Sequence, residues 1–204
     1  MLTAPINRED AIPRERVLPT EALAYLLLCL LALAWRLLAI TSGPLSPAEA
    51  QQALAAYRLA QGSPVAAETV AVTSPALLSI QALTFSLFAS NDAWARLPVA
   101  ILTSFFPLAF WLLRPGLGRT VPIAAALLLG FSPTWTAWGA QALPAELAVV
   151  ALLFALACAA QAVWKGSSRW AAASGATFGL ALASAPEVWS ALLLGLITWL
   201  LFFR

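Results

Sequence analysis

The residues able to do chemistry are few. Five carboxylates (Glu49, Glu68, Asp92, Glu146 and Glu187) and three arginines (Arg36, Arg58 and Arg96) stand in or beside the breaks between long apolar runs. Histidine is absent, which removes the commonest general base and the commonest metal and haem ligand together. Proton transfer then falls to a carboxylate, and phosphate recognition to an arginine, whose planar fork holds two oxygens through parallel N–H bonds. The two cysteines, Cys29 and Cys158, lie inside apolar runs with no disulfide or zinc spacing and read as small core residues. No cofactor and no metal site are expected.

These residues are positioned around one stretch, Ser46 to Gly62, SPAEAQQALAAYRLAQG. Ser46 stands where an N-cap belongs, Pro47 takes the first helical position and Glu49 follows three residues after the cap, which together make a capping box. Gly62 supplies a left-handed residue to end the helix. Glu49, Gln52 and Ala56 fall on one side of it and Ala50, Leu54, Tyr57 and Gln61 on another. The segment is too short and too polar to cross a bilayer, so it is expected on the membrane surface. Glu49 thus has two readings, the acid of the capping box or an acid–base residue. Asn91 and Asp92 both fit an N-cap for the helix that follows, and Arg96 is placed to meet either a lipid phosphate or Asp92. Arg36, beside Trp35, fits an interfacial anchor whose cation snorkels outward. Glu146 sits in a first helical turn, where its charge complements the helix dipole.

The rest of the chain is hydrophobic bulk. Of 204 residues, 62% are hydrophobic and 10% charged, and the mean hydropathy is +0.86. An integral membrane protein follows, because several apolar runs approach the ~20 residues a helical crossing needs. The net charge of +2 is too small to suggest nucleic acid. Met1 to Pro19 reads as a polar tail, and Thr20 to Ile40 as the first span. The region 41–92 reads as an outer loop with interfacial helices, in which Pro75–Ala89 does not cross. Ala93–Leu113 follows, with a kink expected near Pro98 and Pro107. Val121–Phe131, Pro144–Trp164, Trp170–Ala185 and Val188–Phe203 complete six spans. This arrangement puts eight of the eleven basic residues on one side, which the positive-inside rule makes cytoplasmic. The expected fold class is all-α, a polytopic membrane helix bundle. A cytoplasmic tail (1–19) precedes one transmembrane domain (20–204) in a cytoplasmic membrane of bacterial or archaeal type.

The order of short motifs resembles the N-terminal module of the GT-C superfamily of membrane glycosyltransferases, which includes protein mannosyltransferases and aminoarabinose transferases. The matching residues are Pro44-Leu45 with Glu49-Ala50, Gly62, Ser74-Pro75, Ala95-Arg96-Leu97-Pro98, Leu117-Gly118-Arg119 and Ser132-Pro133, covering roughly Leu26 to Trp164. The resemblance implies a polyprenyl-phosphate sugar donor and a first outer loop that carries an Asp-Glu pair, the Asp being the catalytic carboxylate. Here the pair reads Ala48-Glu49. A second outer motif, Ser-Arg-Glu-Ala-Arg in many members, reads Gly139-Ala140-Gln141-Ala142-Leu143. By this resemblance Glu49 would be the remaining acid or base, and Arg58 and Arg96 would meet the donor phosphate. The enzymes it resembles add further helices, so the sequence reads either as a short relative or as the N-terminal part of a longer chain.

Two functions follow from different classes. One is a GT-C-like glycosyltransferase module, degenerate in its catalytic motifs. The other is a non-catalytic scaffold or accessory subunit of a larger membrane complex, whose partners would be membrane lipids and other membrane subunits. A transporter fits less well, because ionisable residues within the spans are scarce and no inverted repeat is visible.

Overall fold

The computed structural model describes residues 19–41, 43–64, 74–88, 90–139, 141–185, 188–190 and 193. The N-terminal tail, the stretch with Glu68, Glu187 and most of the expected final span lie outside the described residues. The described residues form nine α-helices and no strand. In chain order these are α1 (Pro19–Ala39), α2 (Pro47–Ala60), α3 (Pro75–Leu87), α4 (Asp92–Ser104), α5 (Phe106–Leu117), α6 (Thr120–Gly130), α7 (Pro133–Trp138), α8 (Pro144–Lys165) and α9 (Ser168–Ser184).

Local chemistry sets most boundaries. Ser46, Ser74, Asn91 and Ser132 each accept a backbone N–H from the residue three positions on, capping α2, α3, α4 and α7. Gly62, Gly118 and Gly166 take positive φ where helices must stop. The prolines behave differently from one another. Helix α4 continues through Pro98, whereas the helical run breaks at Phe105, two residues ahead of Pro107. Pro107 has no N–H to offer the carbonyl four residues earlier, and the chain re-forms its helix as α5.

Three described helical stretches are long and apolar enough to cross a membrane: Thr20–Ala39, Asp92–Leu117 and Pro144–Lys165. The fold is an all-α membrane bundle. Of the other spans expected, α6 has 11 residues and α9 has 17. At 1.5 Å per residue α6 covers about half of a ~30 Å hydrocarbon core. Helix α3, with 13 residues, is also too short to cross.

The burial pattern suits lipid rather than water. On α1 the outward residues are Leu23, Leu26, Leu27, Leu30, Leu31, Trp35 and Leu38, while the inward stripe is Glu21, Tyr25, Cys29 and Arg36, with Ile40 buried just past its end. Helix α2 is inverted in the same way. It buries Glu49 and Gln52 with Ala53, Ala55 and Ala56, and exposes Leu54, Tyr57 and Leu59. A water-soluble helix would turn these faces around.

Packing joins the elements into one body. Helices α8 and α9 form the closest antiparallel pair, α2 lies on α3, and α1 packs on α4 and α5. Polar side chains make the joints between them. Gln52 grips the backbone of Ser74, accepting from its N–H at 3.1 Å and donating to its carbonyl at 3.5 Å. The Ser74 hydroxyl donates to the carbonyl of Ala183 at 3.2 Å, and the Gln81 amide donates to Ala95 O at 2.8 Å. Together these tie α2, α3, α4 and α9. Cys29 and Cys158 are buried free thiols, as expected.

Candidate functional site

Glu49 and Arg96 meet at one end of the bundle. Capping places Glu49: its Oε2 accepts the Ser46 N–H at 2.8 Å while the Ser46 hydroxyl accepts the Glu49 N–H at 3.4 Å. Arg96, one turn into α4, then closes on the same carboxylate. Its Nε donates to Oε1 at 2.9 Å and its Nη2 to Oε2 at 3.1 Å, a two-pronged ion pair. Arg96 also donates to the carbonyls of Ile40 (3.1 Å), Gly43 (2.9 Å) and Pro44 (2.9 Å). A guanidinium has five N–H donors, and these five bonds engage all of them. The Ala142 N–H completes the group, donating to Glu49 Oε1 at 2.7 Å. The clasp therefore fastens three connections at once: the one after α1, the start of α2 and the approach to α8.

Glu49 is only 1% exposed. Burial alone would raise its carboxyl, but hydrogen bonds from Arg96, Ala142 and Ser46 outweigh it and hold the group at about 2, against an ordinary 4.5. A carboxylate so held is a poor proton acceptor near neutral pH.

Arg36 and Glu146 are a second buried arginine and carboxylate at the same end, not joined by a salt bridge or hydrogen bond to each other among the described residues. The sequence suggests an anchor for Arg36, snorkelling outward. The structure instead turns it inward, 2% exposed, because Ser104, Phe106 and Gly139 provide a polar and aromatic seat inside the bundle. Its Nη1 donates to Ser104 Oγ at 3.3 Å, and Cζ lies 5.8 Å from the centre of the Phe106 ring. Gly139 is needed for this fit, since a Cβ there would collide with the guanidinium. The edge of Trp135 meets Phe106 at 5.7 Å between ring centres. Glu146, in the first turn of α8, is 6% exposed. Among the described residues, neither Glu146 oxygen has a hydrogen-bond partner, and neither do Arg36 Nε and Trp135 Nε1.

The remaining candidates are placed as follows. Arg58 is exposed on the last turn of α2. Asp92 is exposed beside the Asn91 cap, and it is Asn91 rather than Asp92 that makes the capping bond. At the opposite end of α1, Arg114 Nε lies 2.9 Å from Glu21 Oε1, and Arg119 reaches the other oxygen at 4.0 Å. Sequence reasoning passed over Arg36 and Glu146 as functional residues, although an ionisable group within a spanning segment is itself a signal.

An all-α membrane bundle with buried arginine–carboxylate pairs at one end, and the motif order described above, defines a GT-C-like protein related to membrane glycosyltransferases. A model of the dolichyl-phosphate-mannose-protein mannosyltransferase family matches residues 72–204, well over half of the sequence, and the chain belongs to that family. Ala95-Arg96-Leu97-Pro98, Ser132-Pro133 and Glu146 fall inside the match, while Arg36 and the Glu49 segment precede it. No curated protein and no solved structure matches the chain.

Proposed function

We propose that this protein binds a polyprenyl-phosphate sugar at the outer face of a cytoplasmic membrane, with its N-terminus cytoplasmic, and has lost the transfer chemistry. The observation that carries this reading is the state of Glu49. Its neighbour in the acidic motif is Ala48, and its own carboxylate is fully engaged by Arg96, Ser46 and Ala142. Glu49 then serves as the acid that locks the outer connections rather than as a base. Arg96 has no donor left for a phosphate, whereas Arg58 is exposed on the last turn of α2, where a lipid headgroup can meet it.

Reconstituting the chain in vesicles with polyprenyl-phosphate mannose and an acceptor peptide tests this. The expected result is retention of the lipid-linked sugar with no transfer above protein-free vesicles. Transfer that depends on the chain and is abolished in Glu49→Gln would overturn it and restore Glu49 as the acid–base residue.

A scaffold or accessory role is supported by a separate observation. Gly175 and Gly179 are four residues apart on α9, and open space lies beside each. Small residues at this spacing let a second membrane helix approach closely. Purification in gentle detergent with mass spectrometry of co-purifying chains tests it. Other membrane subunits in fixed stoichiometry are expected, and an isolated chain counts against the role.

A further inference from the structure

We propose that the end of the bundle opposite the Glu49–Arg96 clasp binds the headgroup of an anionic glycerophospholipid, held between the turn 114–119 and the turn 165–169. This is independent of the polyprenyl-phosphate reading, which concerns the other end of the molecule.

The first argument is that the two turns are brought together. Gly118 and Gly166 take positive φ and close them tightly. Helix α5 packs on α8, and the Trp164 indole lies so close on Gly116 that a Cβ there would collide with it. In the first turn, Arg114 Nε is 2.9 Å and Arg119 Nε 4.0 Å from the Glu21 carboxylate. In the second, Lys165 directly follows Trp164, and its Nζ stands 5.0 Å from the centre of the Trp170 ring, next to Arg169 in the chain. Contacts and chain neighbours thus link Glu21 through both turns to Trp170.

The second argument is charge. Among the described residues, Arg114, Arg119, Lys165 and Arg169 share this end with one carboxylate, Glu21. Glu21 and Arg114 are buried against each other, whereas Arg119, Lys165 and Arg169 are exposed. The side chains of residues 1–18 add three arginines and three carboxylates, which cancel. Helix stability does not account for two of the exposed cations. Arg119 stands just before the first residue of α6 and Arg169 is the second residue of α9, where a cation opposes the helix dipole. The positive-inside rule explains which side of a membrane the cations occupy, but not their meeting on adjoining turns.

The third argument selects a lipid over a soluble anion. Trp164 and Trp170 flank Lys165, and indoles settle at the headgroup level of a bilayer. Outward apolar side chains adjoin the cations: Leu117 and Val121 beside Arg119, and Val163 beside Lys165. A phosphate at the level of the cations, with acyl chains along these side chains, covers both kinds of surface. A soluble anion covers only one. Basic clusters at the ends of membrane helices recognise anionic headgroups in this way.

The test titrates the full chain in a neutral detergent, with bound lipid counted by native mass spectrometry. The probes are phosphatidylglycerol, phosphatidylcholine and glycerol 1-phosphate, a headgroup without tails. Phosphatidylglycerol is expected to bind saturably and at least about tenfold more tightly than phosphatidylcholine, since each cation near a membrane surface favours an anionic lipid about fivefold. The triple variant Arg119→Gln/Lys165→Gln/Arg169→Gln should bind the two lipids alike, and Arg119→Lys/Arg169→Lys should keep most of the preference. These side chains are exposed, so melting temperatures should hold, and Lys165→Gln alone should already weaken phosphatidylglycerol severalfold. Equal binding of the two lipids by the parent, or equal phosphatidylglycerol binding by parent and triple variant, would overturn the proposal. So would displacement of phosphatidylglycerol by glycerol 1-phosphate, which would make this a site for a soluble anion. None of these outcomes alters whether the parent retains polyprenyl-phosphate mannose, so the two readings fail separately.

Discussion

Two arginine–carboxylate pairs occupy the same end of this bundle and differ in almost every bond. Arg96 spends all five donors on Glu49 and three backbone carbonyls, and Glu49 accepts two backbone N–H groups besides, whereas among the described residues Arg36 and Glu146 leave a guanidinium N–H and both carboxyl oxygens without hydrogen-bond partners. The saturated pair draws its partners from the connections around it, so its work is to hold those connections together. The bare pair sits between spanning helices and fastens little. A buried polar group that stability does not require is a better guide to function than one that stability explains.

Breaking the saturated pair should give the largest effect. Arg96→Met leaves the Glu49 carboxylate buried with no cation and frees the carbonyls of Ile40, Gly43 and Pro44. Removing one partner of a buried pair costs about 3–5 kcal/mol, so a large fall in melting temperature in detergent is expected. An equal fall in Glu146→Gln would erase the distinction between the pairs. For that variant, which breaks no hydrogen bond among the described residues, the expected change is within about 1 kcal/mol or stabilising.

The pairs should also separate by pH. The Glu49 carboxyl is depressed to about 2 in the fold and stands near 4.5 otherwise. A depressed acid contributes stability above its unfolded value and loses it as pH falls toward its folded one. The melting temperature should therefore be flat around neutrality as far as Glu49 is concerned, and fall between about pH 4.5 and pH 2. In Glu49→Gln the melting temperature starts lower and that acid limb flattens. An unchanged limb in Glu49→Gln would mean that another carboxylate governs acid stability.

How legible each pair was from sequence depended on distance along the chain. The capping box at Ser46, Pro47 and Glu49 lies within four residues, and so do the Asn91 cap and the stops at Gly62 and Gly118, so a linear reading finds them. Helical spacing also groups Glu49, Gln52 and Ala56 on one side of α2, but it does not tell that this side is the buried one. Partners far apart were not legible. Arg96 was weighed against Asp92 on its own helix, but it binds Glu49, 47 residues earlier. Arg36 was read against Trp35 and the leucines beside it as an outward anchor, while its seat includes Ser104, 68 residues away. Nothing in the local pattern distinguishes a cation that snorkels from one that turns into the bundle. The family resemblance was legible for a different reason, since the order of short motifs survives even where the acids and arginines within them have changed.

Gly139→Ala acts on the second pair alone. The new Cβ collides with the Arg36 guanidinium, which has little room to yield at 2% exposure. Overpacking of this kind costs about 1–3 kcal/mol. The melting temperature should fall, while the acid limb set by Glu49 keeps its position. A shift of that limb would mean that the two pairs move as one unit.

The smallest expected effect is also the most selective. Ser104 Oγ accepts from Arg36 Nη1 at 3.3 Å and donates to the carbonyl of Ala100 within its own helix. Among the described residues, Ser104→Ala removes the one side-chain hydrogen bond that holds the guanidinium, yet it creates almost no cavity and leaves Ala100 O bonded within α4. A hydrogen bond to a charged group contributes about 1.5–3 kcal/mol, but at 3.3 Å and with an N–H already unmatched on the same arginine, the lower end or less is expected. The melting temperature of Ser104→Ala should therefore fall by less than that of Gly139→Ala, because the face of Phe106 and the Gly139 backbone still seat the guanidinium. A larger fall would mean that the Ser104 hydroxyl, rather than that seat, holds Arg36 in place.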